Sequence, residues 1–510
     1  MSVRRVRVSW ILALTAVLAA GSSPVDAAGR DGSLVEAVKR LDRSSIDTLL
    51  QQGVDVNTPE PDGTTALHWA AHHGDLDTVR RLIEAGGDVS AFNRYGVAPI
   101  WLAAQNGHAD VVETLLRAGV DPETTRGDSG ETVLMIAARA GHVGVLHRLI
   151  AYDADVNATD SVRSQTALMW AAAERHRAAV QLLAEAGADI EARSSISMTP
   201  LMFAIRAGDI DVTREMLEQG ADLNATPPDG TTTLVLAIIN AHWELAAFLL
   251  DQGADPNGND PLHGPPLHAL TWMRRAENRG LSAWLPRRPT GNIDTIELAE
   301  ALLADGARIN DQLDWNPGQT PQHMAHGMFA GTGYGGATPF FIASKNCDTE
   351  FMKFLVANGA DPLIPASQVT PLLAAAGVGY VIGESPGTPD EALETVQLLQ
   401  ELGLDIEAVA DFSTTGNRCG GQGGGGWGRG SALQGAVIRG AEGLVRWLIE
   451  QGVPLDHKMS CGTTALDLAE GSNLGINLNV QPALAKIIRE AMVAQELLVP
   501  DASERRHDRR

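Results

Sequence analysis

Apolar and polar residues follow a helical rhythm that restarts about every 33 positions. In "DGTTALHWAAHHGDLDTVRRLIEAGGDV", from Asp62, a compact apolar run with an Ala-Ala pair leads into a polar turn. Leu76, Val79, Leu82 and Ile83 then recur at helical spacing. The same order returns in "YGVAPIWLAAQNGHADVVETLLRAGVDP" from Tyr95 and "SGETVLMIAARAGHVGVLHRLIAYDADV" from Ser129. The leading apolar position falls at Leu67, Ile100, Leu134, Leu168, Leu201, Leu234 and Leu267, in steps of 33 or 34, and again at Phe340, Leu372, Leu433 and Leu466. Each unit predicts a turn, a short helix, a second turn and a second helix. Periods of this size belong to stacked arrays, in which no unit buries its apolar face alone.

The punctuation agrees with that reading. Asp62-Gly63 supplies a hairpin turn. Thr199, Thr338 and Thr370 are placed to cap first helices, with Pro200, Pro339 and Pro371 at the opening position. Gly86, Gly119, Gly187, Gly220 and Gly253 are placed to end second helices in the left-handed conformation, and Asp153 takes that place once. Alanine pairs let neighbouring helices approach closely.

These residues resemble the ankyrin repeat, whose "G-x-TPLHxAA-x-x-G-H…LL-x-x-GAD-x-N" pattern is visible above. The resemblance covers nearly all of the chain after residue 27. It implies an all-α solenoid of about twelve helix-turn-helix units with hairpin fingers. Residues 28–260 read as regular repeats, with an N-terminal cap from Gly32 to Asn57. Residues 261–495 read as repeats with insertions and a C-terminal cap, and 496–510 as a disordered polar tail. Extra residues fall between the two helices of a unit at about 274–292, 377–393 and 471–481, and in the hairpins at about 311–336 and 409–430. The variants "ATPF" and "ALQGA" in this half resemble those of exported bacterial ankyrin proteins.

Composition narrows the function. With 44% apolar residues, core material is ample, and a formal charge of −24 argues against nucleic acid or an anionic membrane as the main partner. Residues 1–27 read as a signal peptide: Arg4, Arg5 and Arg7, then "ILALTAVLAA", then Val25-Asp26-Ala27 before a cut at Ala28. The expectation is a periplasmic or secreted, monomeric protein, free of the membrane once the signal is cleaved. The first of three cysteines is Cys347, read as a lone, partly buried thiol. Cys419 and Cys461 lie in adjacent fingers and are expected to pair in an oxidising compartment.

Candidate chemistry is sparse. "CGGQGGGGWGRGSAL", from Cys419, aligns through Gly430-Ser431-Ala432-Leu433 with Gly63 to Leu67. It reads as an enlarged finger capped by Ser431, because it lacks the Gly-Lys-Ser/Thr ending of a phosphate loop. His68 and His72 stand four apart with His73 beside them. The resemblance gives His68 a structural role in the hairpin layer, and His323 and His326 have no cysteine near. No metal or cofactor is therefore expected. No Gly-x-Ser-x-Gly elbow and no isolated carboxylate pair points to catalysis.

The expected function is binding of a protein partner through the concave face and the fingers. The variable positions after the alanine pairs supply His72, His73, Gln105, Asn106, Arg139, Arg175 and Arg206. The fingers add Arg94, Tyr95 and Arg163 and, in the later half, Tyr334, Trp427 and Arg429. Two other classes stay open at this point. One is an enzyme or small-molecule binder with a pocket lined by Trp272, Trp284, Tyr334 and Trp427. The other is a self-associating structural component of the envelope.

Overall fold

The structure is a computed structural model. It describes residues 33–228, 230–258, 264–275, 291–313, 335–366, 368–378, 387–410, 430–459, 462–471 and 480–497. Among these residues 24 α-helices follow one another in pairs. The chain divides into two compact units, the first running to Pro200 with Glu218–Gly220, the second comprising Leu201–Leu217 and all from Ala221.

The first unit holds five pairs: α1 (Leu34–Lys39) with α2 (Arg43–Gln51), α3 (Ala66–His73) with α4 (Leu76–Glu84), α5 (Pro99–Gln105) with α6 (Ala109–Arg117), α7 (Val133–Ala140) with α8 (Val143–Ala151), and α9 (Ala167–Ala173) with α10 (Arg177–Glu185). First helices pack on first helices in the order α1, α3, α5, α7, α9, and second helices on second helices in the order α4, α6, α8, α10. The alanine pairs make the first layer possible: Ala70, Ala71, Ala103, Ala104, Ala137, Ala138, Ala171 and Ala172 are fully buried. Larger side chains there would hold the helix backbones apart.

Helix starts are fixed locally. Thr132 and Thr166 accept from the backbone N–H three residues on, at 3.2 and 3.4 Å. At α3 the backbone N–H of Thr65 donates to His68 Nδ1 at 3.1 Å, while His68 Nε2 donates to Val97 O of the next finger at 3.0 Å. Burial holds this ring below its usual pKa, so it stays neutral with its proton on Nε2. Asparagines clip successive repeats: Asn157 Nδ2 donates to Gly187 O at 3.2 Å, and its Oδ1 accepts from the Asp189 N–H at 2.7 Å. Asp153 has φ 63, the left-handed helix end expected of it. One finger carries a two-residue ladder, β1 (Thr125–Arg126) against β2 (Glu131–Thr132), with Arg126 opposite Glu131.

The helix α11 (Pro200–Ala207) begins at the division between the units. Thr199 before it has its Oγ1 buried without a hydrogen-bond partner, so it lacks the cap bond made at Thr132 and Thr166. The second unit continues with α12 (Ile210–Glu218), α13 (Thr233–Ile239), α14 (Trp243–Asp251), α15 (Pro266–Arg274), α16 (Thr295–Ala304), α17 (Pro339–Lys345) and α18 (Thr349–Ala357). It ends with α19 (Pro371–Ala376), α20 (Pro389–Glu401), α21 (Ala432–Arg439), α22 (Glu442–Glu450), α23 (Ala465–Ala469) and α24 (Pro482–Ala494). The first-helix layer here is α13, α15, α17, α19, α21, α23. Thr338 and Thr370 cap α17 and α19 as expected. His268 repeats the His68 bond, donating to Ala337 O at 3.1 Å, and burial takes its pKa down to about 4.

The insertions sit where the period broke. Residues 275–294 separate α15 from α16, 377–388 separate α19 from α20, and 470–481 separate α23 from α24. The glycine-rich run grows from β3 (Val409–Ala410), paired antiparallel with β4 (Gly430–Ser431). Ser431 caps α21 in a reciprocal box with Gln434: its N–H donates to Gln434 Oε1 at 2.9 Å, and its Oγ accepts from the Gln434 N–H at 3.4 Å. The strand pair that flanks residues 411–429 thus leads straight into a first helix. Among the described residues no helix is long and apolar enough to cross a membrane.

Candidate partner-binding surface

In the first unit the ends of the first helices form a ladder. His108 Nε2 donates to His72 O at 3.1 Å, His142 Nε2 to Gln105 O at 3.0 Å, and His176 Nε2 to Arg139 O at 3.1 Å. Each histidine follows the turn after a first helix and reaches back to the repeat before. Where the next repeat carries this histidine the turn residue must be small: a Cβ on Gly74, which has φ 69, would stand 2.4 Å from His108 Nδ1. The ladder sets His72, Gln105 and Arg139 at equivalent places in consecutive repeats, all half-buried, with Asn106 exposed. Asn106 Nδ2 also donates to His72 Nδ1 at 2.9 Å and to His72 O at 3.0 Å.

An aromatic row runs beside this ladder. Trp69 is 8% exposed, donates from Nε1 to Glu60 Oε2 at 2.8 Å and lies beneath Lys39 Nζ, 4.8 Å from its ring centroid. The His72 and His73 rings sit 5.8 and 5.9 Å from it. Burial, and then the neighbouring imidazoles of His73 and His108, push His72 below its ordinary pKa. The ring is therefore an apolar and hydrogen-bonding surface at neutral pH. Trp101 takes the place that His68 holds in its own repeat and is covered by Arg126; Trp170 is covered by Arg139, each guanidinium carbon 5.1 Å from the ring centroid. At the finger tips Arg94, Tyr95 and Arg163 are exposed, with Arg94 Nη2 donating to Tyr95 Oη at 2.6 Å.

Arg175 stands differently from Arg139. It is exposed, with φ 66, in the turn where neighbouring repeats place glycine, and Ala173 and Glu174 are the residues equivalent to His72 and His73. The histidine ladder shows this register, because His176 aligns with His108 and His142. Arg206 belongs to the second unit. It is exposed there, stacks on Phe203 at 4.7 Å, and its carbonyl accepts from His242 Nε2 at 3.3 Å.

The second unit buries a polar cluster that the sequence did not announce. Arg274 Nε donates to Asp348 Oδ2 at 2.7 Å and Nη2 to Asp348 Oδ1 at 3.2 Å, with side chains only 9% and 5% exposed. Arg275 Nη1 donates to Glu391 Oε1 at 2.8 Å, and its Nη2 to Cys347 O at 3.2 Å. Cys347 is wholly rather than partly buried, and burial raises its thiol pKa. Trp272 is buried in the same unit. Tyr334, Trp427, Arg429, Trp284, His323, His326 and the cysteines Cys419 and Cys461 lie outside the described residues, as do residues 1–27. Among the described residues no group of three or more His, Cys, Asp or Glu side chains is placed to hold a metal ion.

Family models match along the repeats. The three-copy ankyrin repeat model matches residues 34–126, 121–194 and 192–260, and the single ankyrin repeat model matches 335–367. Among solved structures, the human ASB11 ankyrin repeat domain is similar at 25% identity, over 44% of this chain and 98% of that one, with a TM-score of 0.40. The ankyrin repeat domain of Bcl-3, titled a unique member of the IkappaB protein family, is similar at 28% identity, over 41% of this chain and 94% of that one, with a TM-score of 0.37. No curated protein matches. Domains of this kind generally mediate binding between proteins on a scaffold that is typically non-catalytic. With helix pairs at the repeat period, the histidine ladder between them and family matches over just over half of its length, this chain belongs to the ankyrin repeat family.

Proposed function

We propose that the chain is an exported, non-catalytic ankyrin scaffold that binds another protein through the ends of its first helices and its fingers. The observation that carries the reading is the ladder of His108, His142 and His176 onto His72, Gln105 and Arg139. It holds side chains that do no core packing at a fixed repeat along one face. A rigid row of non-core side chains is what a protein surface needs to be read in register. Photocrosslinking residues at Asn106 and Glu174, both exposed, should join a partner in envelope extract. The same residues at Asp77 and Arg80, exposed on a second helix, should not. Adducts confined to Asp77 and Arg80, or none from any of the four positions, would sink the proposal.

Export rests on residues 1–27, with basic, apolar and small residues in signal-peptide order. Mass spectrometry of the protein from its native host should find a mature N-terminus near Ala28. A soluble chain that keeps Met1 would refute export while leaving the binding surface untouched.

A further inference from the structure

Two guanidinium groups in the first unit are held in place with their hydrogen-bond donors unused among the described residues. Arg126 ends β1 and lies on the face of Trp101; Arg139 is in the last turn of α7 and lies on the face of Trp170. Trp101 is 2% exposed and Trp170 is half-buried, so both planes are fixed by packing. The indole Nε1 of each is buried and donates to nothing. Neither guanidinium makes a side-chain hydrogen bond among the described residues. Among the described residues the carboxylate that comes near is that of Glu131, across the hairpin from Arg126, whose Oε1 reaches only to 3.9 Å from Arg139 Nη1.

This is an uncommon state for a partly buried arginine. Burial first, and the like charge of Arg126 after the partial relief from Glu131, hold Arg139 below its ordinary pKa. Glu131 and Glu174 temper the charge from a distance but leave the donor forks open. A guanidinium fork matches a carboxylate edge with two parallel bonds, and a stacked fork loses little rotamer freedom when it binds.

We propose that Arg126 and Arg139 form a recognition site for carboxylate side chains on an acidic segment of the partner protein. The inference rests on the protein-binding reading and specifies what that partner presents. Local charge favours a carboxylate over phosphate. Among the described residues Arg126 and Arg139 have Glu131 and Glu174 as charged neighbours, in a chain of formal charge −24, so a dianion would meet more repulsion than a single carboxylate. The half-buried Trp170 ring offers an apolar neighbour for the stem of the acidic side chain.

The test uses a blocked peptide, Ala-Glu-Glu-Leu-Ala, its Gln-Gln counterpart, and inorganic phosphate, titrated against the whole mature chain at about 0.15 M salt, where long-range repulsion is screened beyond about 8 Å. The glutamate peptide should bind and the glutamine peptide should not. Arg126→Gln and Arg139→Lys should each weaken binding at least tenfold with far-ultraviolet circular dichroism unchanged, the second because lysine keeps the charge and loses the fork. Equal binding of both peptides, no binding of either, or a preference for phosphate would overturn it. Should Asn106 still crosslink a partner that both variants capture as well as the parent does, the acidic specificity fails and the protein-binding reading stands.

Discussion

Replacing Asp348 with alanine is expected to cost the second unit about 3–5 kcal/mol, the range for breaking a buried ion pair by removing one partner. Asp348 accepts both arms of the Arg274 fork, and its Oδ1 also accepts from the Phe351 N–H at 3.2 Å, capping α18. Arg274 Nη2 also donates to Glu350 Oε2 at 2.8 Å, but that carboxylate is 77% exposed and is screened. Without Asp348 the guanidinium keeps its desolvation penalty and loses its one buried counter-charge. The lost cap adds about 1 kcal/mol. Asp348→Asn should cost less, since an amide oxygen still caps the helix. The double change Arg274→Met with Asp348→Asn should recover much of the loss, because no uncompensated charge remains buried. Urea unfolding, with hydrogen exchange over residues 339–357, reads both effects. A cost under about 1 kcal/mol for Asp348→Ala would mean that water already solvates the pair.

That pair also marks the limit of what the sequence disclosed. Repeat spacing, the caps at Thr338 and Thr370, left-handed glycines and the Asp153 exception were legible because each is a local rule acting within a few residues. The helix pairs across the insertions were legible because "ATPF" and "SALQGA" restart the pattern whatever intervenes. Arg274 and Asp348 are 74 positions apart, and an aspartate before Thr349 reads from sequence only as a helix cap. The histidine ladder was within reach: Gly107-His108 and Gly141-His142 repeat the dipeptide at the period, and only its partner, a carbonyl 36 or 37 residues back, needs the fold. Arg175 was harder to place, since a bulky residue stood where the repeat rule wants glycine. The stacking of Arg126 on Trp101 left no sequence signal, because it joins a finger to the helix of the preceding repeat.

Two glycines of one helix pair should respond to alanine differently. Gly435 lies within α21 and Gly443 within α22. On helix propensity alone both changes should stabilise, by about 0.5–1 kcal/mol. Packing separates them. A Cβ on Gly443 would rest 3.5 Å from Leu393 Cδ2, an ordinary contact with the mobile end of a side chain. On Gly435 it would meet Val378 N at 2.8 Å and Gly377 C at 3.0 Å, which are backbone atoms of the preceding repeat. The approach is equally close from the other side: Gly377 has φ 117, and a Cβ on it would stand 2.5 Å from Gly435 O. The α19 turn and α21 therefore touch backbone to backbone, and one methyl group would force the two first helices apart. Overpacking of this kind costs about 1–3 kcal/mol, which exceeds the propensity gain, so Gly435→Ala should destabilise the unit. Gly435→Val adds two more carbons and a β-branched restriction and should lower stability further. Gly443→Ala should be neutral or stabilising by up to about 1 kcal/mol. Chemical unfolding of the three variants beside the parent decides it. An increase in stability for Gly435→Ala would show that α21 can slide away from Gly377, and the close approach would then be no constraint on the array.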